Sequence, residues 1–183
     1  MDKAVILDEI SMERALTRIA HEIIEANKGT ESLALLGIQR RGVVLANRLA
    51  EILERVTKEK IENGILDITL YRDDLSLLNE QPIINGTDIS FVVTNKHIIL
   101  VDDVLYTGRT IHAAINALMD MGRPQKISVA VMIDRGHREL PIRADFIGKN
   151  VPTSANEVIH VKVNEIDGSN GVTICEYKER GVK

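Results

Sequence analysis

Apolar residues along this chain follow two different periods, which predicts strands that alternate with helices. Continuous apolar runs, typical of strands buried on both faces of a parallel sheet, occupy residues 32–38, 97–101 and 127–133. Apolar side chains recur every three or four positions, as in amphipathic helices, at residues 12–27, 43–57 and 110–121. The alternation predicts a doubly wound, mostly parallel α/β sheet.

Shorter segments complete the predicted domain. Further strands are predicted at residues 4–7, 65–71, 89–94, 158–163 and 172–176. Asn95 and Lys96 are predicted to form the hairpin turn after the strand at 89–94. Residues 72–88 and 135–152 show no clear element. We expect one domain over residues 1–183, with a small irregular hood beside the sheet.

Composition narrows the class of protein. Hydrophobic residues make up 44% of the chain and aromatic residues only 3%, so the core must consist mainly of Ile, Val, Leu and Ala. The single cysteine, Cys175, excludes a disulfide within the chain. No secretory signal is evident and no apolar run approaches the ~20 residues that span a bilayer, so we expect a cytoplasmic protein with no membrane partner. The net charge of −4 means that any nucleic-acid surface must be a local basic patch.

The strongest candidate for chemistry is the loop between the strand at 97–101 and the helix at 110–121. A helix N-terminus binds phosphate, Gly108 allows close backbone approach, and Thr107 and Thr110 add hydroxyl donors. Asp102 and Asp103 are acceptors that suit a pair of sugar hydroxyls. A helix-capping turn is the simpler alternative, but the complete pattern of apolar residues, acids and Thr-Gly-x-Thr favours a phosphate site. The candidate residues are Val101, Asp102, Asp103, Val104, Leu105, Tyr106, Thr107, Gly108, Arg109 and Thr110.

A second turn has the same placement between a buried strand and a helix. It consists of Gln39, Arg40, Arg41 and Gly42, and the physics of helix N-termini predicts a second phosphate site there. The alternative is a basic turn that is simply solvated.

Residues 98–110 resemble the motif by which type I phosphoribosyltransferases bind phosphoribosyl pyrophosphate (PRPP). With the further motifs at residues 14–22, 37–42, 71–75 and 134–150, nearly the whole chain resembles a narrower bacterial family. This is the family of bifunctional pyrimidine-operon attenuation regulators and uracil phosphoribosyltransferases.

The resemblance implies a reaction of uracil with PRPP that yields UMP and pyrophosphate. Thr107–Thr110 would hold the 5-phosphate, Asp102 and Asp103 the ribose hydroxyls, and Arg41 the pyrophosphate. Mg²⁺ would bind with PRPP through substrate oxygens and water, with no direct protein ligand expected. Asp134 and Arg135 would lie at the uracil pocket. Purine-specific relatives carry an acid where this chain has Tyr106, a poor base at neutral pH, so purine substrates are disfavoured.

The resemblance also identifies the polar segment after Tyr71 as a lid over the substrate. Arg72 would meet pyrophosphate, and Asp73 and Asp74 would steer the metal or order the lid. The alternative is a polar loop in which these acids have no direct role.

RNA contact is implied for five residues: Thr17, Arg18, His21, Arg143 and Lys149. Three of them recur on one face of the predicted helix at 12–27. Taken alone, such a face is usually only solvated. The family binds attenuator hairpins in messenger RNA when UMP or UTP fills the nucleotide site, and forms homodimers that can pair into tetramers.

Two other functions compete with this interpretation. The chain could be a plain salvage enzyme for uracil or a purine, without an RNA role, which a base-substrate screen would discriminate. A signalling GTPase or ATPase is disfavoured because Gly-x-x-x-x-Gly-Lys-Ser/Thr is absent from the sequence.

Overall fold

The structure is a computed structural model that describes residues 2–71 and 86–176. In chain order its elements are β1 (Asp2–Leu7), α1 (Glu9–Asn27), β2 (Leu33–Ile38), α2 (Arg41–Thr57), β3 (Glu62–Leu66), a 3-10 turn (Thr69–Tyr71), β4 (His97–Leu105), α3 (Arg109–Met121), β5 (Lys126–Asp134), β6 (Phe146–Asn150), β7 (Glu157–Lys162), α4 (Asn164–Asp167) and β8 (Gly171–Glu176).

The central sheet consists of five parallel strands in the order β3-β2-β4-β5-β6. Every residue of β2 and the first six of β4 are buried, as expected for strands covered on both faces. The chain runs outward from β2 to β3 and then returns to β4 on the other side of β2. The carboxyl ends of β2 and β4 therefore form a topological switch point, where sheets of this kind bind ligands.

Neighbouring strand residues divide between two cores. Leu35 and Ile99 pack with residues of α1 and α2, whereas Leu36 and Leu100 pack with residues of α3. Helices thus cover both faces of the sheet, and the predicted doubly wound α/β fold is confirmed. Within the part of the chain that the structure describes, no helix is both long and apolar enough to cross a membrane.

The hood is more regular than expected. β1, β8 and β7 form a three-stranded antiparallel sheet, and Val161 and Val172 from it join the core beneath α1 and α2. Between β7 and β8, the short helix α4 is attached to α2 by ion pairs.

Two predicted strands were wrong in position or type. The strand expected at 65–71 is β3, which begins at Glu62 because it pairs along β2, and it gives way to a 3-10 turn at Thr69. The segment at 89–94 is not a strand. Val93 is buried in the α3 core, and the N–H of Asn95 bonds to the carbonyl of Arg123 instead of to a hairpin partner.

The segment at 135–152 was also predicted without regular structure. Its second half contains β6, which extends the parallel sheet by pairing with β5 from Ala130 to Asp134. β6 was missed because only its first residue, Phe146, is buried and its last two are exposed, which removes the apolar run that identified the other strands.

His97 is a buried polar residue at the start of β4, at the opposite end of that strand from the candidate loop. Its Nδ1 contacts the side-chain oxygen of Asn27, and its Nε2 lies 2.9 Å from Ser128 Oγ. Burial lowers the pKa of His97, and the charge of Lys126 lowers it further. A neutral imidazole therefore links the end of α1 to β4 and β5.

We expect His97 to make stability depend on pH. The unfolded chain takes up a proton at the ordinary histidine pKa of about 6.5, but the folded chain does so only at lower pH. The stabilisation by neutral His97 is thus complete above the unfolded value and is lost as the pH falls from there through the lower folded pKa. Denaturant unfolding near pH 7.5 and near pH 5.5 measures the loss. His97→Gln should flatten the dependence, and exposed His160→Gln should not; an equal slope in both variants would contradict this role.

Candidate functional site

The turn that follows β2 lies against the backbone of β4 at the switch point. A Cβ on Gly42, in the first turn of α2, would lie 2.4 Å from the carbonyl oxygen of Val101, and one on Gly37 would lie 2.4 Å from the Cα of Val43. Only glycine permits approaches this close. The predicted pyrophosphate turn at residues 39–42, whose Gln39–Arg40 peptide bond is cis, therefore borders the predicted nucleotide loop.

The predicted 5-phosphate turn opens on a cavity of about 320 Å³, lined by residues 104–111 and Glu139. α3 begins at Arg109, immediately after Gly108, whose φ of +94° is rarely adopted by other residues. Glycine has no side chain to cover the first N–H groups of the helix. The hydroxyl of Thr107 accepts the N–H of Arg109 at 3.3 Å, and Thr110 also lines the cavity. Backbone N–H groups and two hydroxyls thus surround a space suited to phosphate.

The two acids lie on a strand and not in the loop predicted for residues 102–108. Pairing with β5 continues as far as Leu105 and Asp134, which extends β4 past both carboxylates. Asp102 is buried and its Oδ1 accepts the N–H of Asp103 at 2.9 Å. Asp103 is half-buried, and burial raises the pKa of its carboxyl while Asp102 and Arg41 oppose the rise. Asp103 is therefore the more accessible of the pair.

A strap (residues 136–142) holds the phosphate turn from the other side. Glu139 N and Leu140 N both donate to the carbonyl of Thr107, at 2.9 and 3.2 Å. The carboxylate of Glu139 also pairs with Arg109 at 2.8 Å. Leu140 and Ile142 lie close beneath Gly108.

Arg138 is the centre of the strap. Its Nη1 donates to the carbonyl of Tyr106 at 2.7 Å, its Nε donates to the carbonyl of Ile142 at 2.9 Å, and its Nη2 pairs with Asp134. One half-buried guanidinium thus fixes the nucleotide loop, the strap and the end of β5 relative to one another.

The residues predicted at the uracil pocket hold their neighbours in place. Asp134 accepts the N–H of Gly136 at 2.9 Å and pairs with Arg138. Arg135 is buried, with Nε 3.0 Å from Thr153 Oγ1 and its guanidinium carbon 4.1 Å from the centroid of the Tyr106 ring. Arg135 therefore supports Tyr106, which is 40% exposed.

The three predicted lid residues, Arg72, Asp73 and Asp74, lie outside the described residues. Of the described ends on either side, Gly86 lies near the candidate site, whereas Tyr71 is bound at the C-terminal end of α3, away from it. Tyr71 Oη donates to Asp120 in α3 at 2.8 Å, and Gly86 lies beside the side chains of Asp67 and Gln39. Gly86, the first residue described after Tyr71, is thus next to the pyrophosphate turn.

Four of the five residues predicted to contact RNA lie on one surface formed by α1 and β6. Thr17, Arg18 and His21 are exposed on α1. Arg18 Nη2 donates to the carbonyls of Ile147 and Gly148, at 3.2 and 2.5 Å, beside exposed Lys149. Arg143 is exposed between the strap and β6. Glu13 and Glu22 also flank this surface, so its charge is mixed.

Sequence reasoning missed three residues that shape the site: Arg138, Glu139 and Asp167. Asp167 pairs with Arg41 from 126 positions away. No local pattern signals a contact at that separation. Arg138 and Glu139 lie beside the phosphate turn only because the strap folds back onto it, which the sequence does not indicate.

We expect Arg138→Ala to lower the free energy of unfolding by about 2 kcal/mol and to weaken UMP binding about tenfold. Carbonyls of the nucleotide loop and the carboxylate of Asp134 would lose their shared donor. Urea unfolding and calorimetric UMP titration measure the two effects. Arg55→Ala, at an exposed arginine late in α2, is the matched control. UMP affinity that is unchanged in Arg138→Ala would show that the strap does not position the loop.

Comparison with known proteins agrees with this geometry. Residues 4–165 match the model of the phosphoribosyl transferase domain family. The chain is 64% identical to "Bifunctional protein PyrR" of Acetivibrio thermocellus over 100% of this chain and 99% of that protein. It is 58% identical to the protein of the same name from Thermus aquaticus, over 95% of this chain and 96% of that one.

Solved structures give the same fold at lower identity. A hypoxanthine phosphoribosyltransferase from Staphylococcus aureus superposes with a TM-score of 0.71 at 18% identity, covering 97% of this chain and 94% of that one. The hypoxanthine phosphoribosyltransferase of Trypanosoma cruzi gives 0.74 at 14% identity, covering 97% and 98%. The chain therefore belongs to the phosphoribosyl transferase domain family and, within it, to the bifunctional PyrR proteins, which confirms the family identified from its sequence.

Proposed function

We propose that this chain transfers the phosphoribosyl group of PRPP to uracil, giving UMP and pyrophosphate, and that it also regulates a pyrimidine operon by binding its messenger RNA. One observation carries the enzymatic part. Two turns at helix N-termini open on the same switch point, and the carboxylate of Asp103 lies on the strand between them. PRPP carries a phosphate at one end of its ribose, a pyrophosphate at the other and a diol between them, which matches this order of groups.

Each part of PRPP has a place in this arrangement. The 5-phosphate occupies the turn at residues 107–110, and the ribose hydroxyls bind Asp103, with Asp102 buried behind it. The pyrophosphate occupies the turn at residues 39–42, where Arg41 supplies the cation. The transition state resembles an oxocarbenium ion, so the residues act by holding the two ends of PRPP and by balancing charge, without a protein nucleophile.

Mg²⁺ fits this proposal because the partly exposed carboxylate of Asp103 offers the hard oxygen atoms that this cation prefers. The metal would neutralise the charge of the pyrophosphate when PRPP is bound, and substrate oxygens and water would supply most of its ligands. Among the described residues no group of three or more His, Cys, Asp and Glu side chains could hold a metal ion.

Tyr106 supports a pyrimidine acceptor over a purine. The guanidinium carbon of Arg135 lies 4.1 Å from the centroid of its ring. The ring of His137 packs edge-on against it, with 6.0 Å between the two ring centroids. A ring held in this way offers a surface for stacking but no base that could accept a proton from a purine nitrogen. A plain purine-salvage role is therefore the less supported alternative.

We expect uracil with PRPP and Mg²⁺ to yield UMP, and hypoxanthine and guanine to give at least about 100-fold lower kcat/KM. Product formation with each base is measured by chromatography. Asp103→Asn should reduce kcat/KM about 100-fold, because it removes the charge that faces the ribose. Rapid turnover of hypoxanthine would contradict the pyrimidine assignment.

The regulatory part of the proposal rests on the surface of α1 and β6. Exposed Thr17, His21 and Lys149 can meet RNA phosphates and unstacked bases. Arg18 joins the helix to the strand, so the two elements act as one surface. We propose that Arg143, between this surface and the strap, extends it, and that a cytoplasmic homodimer presents two such surfaces to one hairpin.

The nucleotide site and this surface are connected through a continuous stretch of chain. Thr107 bonds to the strap, the strap leads through Arg143 into β6, and β6 carries the carbonyls that Arg18 binds. A nucleotide that orders the phosphate turn can therefore stabilise the RNA-facing residues, which is a coupling free energy between two sites.

We expect a leader RNA hairpin of the pyrimidine operon to bind more tightly with UMP present, and with an affinity that falls as salt is raised. Lys149→Ala and His21→Ala should each weaken RNA binding about tenfold while UMP synthesis is unchanged. Lys60→Ala, at an exposed lysine before β3 on the opposite edge of the sheet, is the control. Electrophoretic mobility shifts measure binding. If neither substitution changes RNA affinity, or if UMP does not change it, the regulatory proposal is contradicted and the chain is a plain salvage enzyme.

A further inference from the structure

Arg41, the cation of the proposed pyrophosphate turn, is held by an acid from the hood. Its Nη2 donates to Asp167 Oδ1 at 2.7 Å and its Nε donates to Asp167 Oδ2 at 3.1 Å. This side-on pair of hydrogen bonds fixes the plane of the guanidinium as well as its position. The Asp167 side chain is only 18% exposed and that of Arg41 is 36% exposed.

Asp167 is itself fixed. Its Oδ2 accepts the backbone N–H of Val163 at 2.9 Å, so the carboxylate cannot simply follow a moving arginine. The turn that carries it is attached to α2 at a second point, where Arg48 binds Glu165 and Asn170. Arg41 and Arg48 lie two helical turns apart on the same side of α2.

The geometry leaves Arg41 able to bind a second anion. A guanidinium has five N–H donors, and the pair with Asp167 uses the Nε hydrogen and one Nη2 hydrogen. The two Nη1 hydrogens and the other Nη2 hydrogen remain, and they form the end of the fork that binds phosphate oxygens in parallel.

We infer that Asp167 is a positioning residue that aims Arg41 at pyrophosphate, so that recognition of PRPP depends on it and recognition of UMP does not. The inference rests on the proposed pyrophosphate turn. UMP has only the 5-phosphate, which the proposed function places at residues 107–110, on the far side of the ribose from Arg41. The hood would thus decide how well the protein binds its enzymatic substrate relative to its regulatory nucleotide.

The charges agree with a permanent pair. Hydrogen bonds with Asp167 raise the pKa of Arg41, and those with Arg41 lower the pKa of Asp167. Both groups therefore stay charged over the working pH range. The carboxylate of Asp103 acts on Arg41 in the same direction.

The test compares Asp167→Ala with Glu165→Ala. Both remove an acid of the same hood segment from an arginine of α2, but only Asp167 reaches the pyrophosphate turn. We expect Asp167→Ala to raise the KM for PRPP and the Kd for Mg-pyrophosphate about tenfold, with the Kd for UMP within about twofold of the original protein. Glu165→Ala should leave all three within about twofold, and Asp167→Asn, which keeps the shape and one acceptor, should fall between.

Three results would overturn the inference. An unchanged Mg-pyrophosphate Kd in Asp167→Ala would show that Arg41 needs no support. Tighter pyrophosphate binding would show that Asp167 competes with the ligand. Equal weakening of UMP and pyrophosphate would show a general loss of structure. Since Mg-pyrophosphate binding is measured by calorimetry without uracil, failure of the original protein to make UMP would count against the proposed reaction alone.

Discussion

The contact between the first turn of α2 and the backbone of β4 is the constraint on which the site depends. The Cα of Gly42 lies so near the carbonyl of Val101 that no side chain fits between them. Without this approach the N-terminus of α2 would stand away from β4, and the two turns proposed to bind phosphate would face separate regions of solvent. A backbone contact thus decides that one ligand can bridge both turns.

Around this contact the charged groups of the site are paired with other residues of the chain. Arg41 binds Asp167, Arg138 binds Asp134 and several carbonyls, and buried Arg135 binds Thr153. Buried or half-buried cations require such partners, because leaving one unpaired is costly. The pairing also fixes each guanidinium, so that the site is ordered in advance of substrate, which suits a reaction driven by positioning.

The two proposed activities use different parts of one continuous structure. In the proposal, substrate would lie at the carboxyl ends of β2 and β4, whereas RNA would lie on α1 and β6 at the edge of the sheet. The strap is in contact with the first region and leads directly into the second. In the proposal, communication between them would need only a change in the order of this segment, without a rearrangement of the sheet.

The sequence by itself determined the central fold and predicted where its chemistry would lie. Strands buried on both faces must be apolar throughout, so they are visible in the sequence. The motif at residues 98–110 is also local, because a strand, a glycine turn and a helix N-terminus each require particular residue types at neighbouring positions. Tertiary structure decided what depends on distant partners: β4 extends past Asp102 and Asp103 because β5 pairs with it, and half-exposed β6 is a strand because it completes the sheet edge. The support of Arg41 by Asp167 and of the phosphate turn by Arg138 likewise follows from chain segments that meet only in the folded state, and contacts of that kind leave no periodic or local trace in a single sequence.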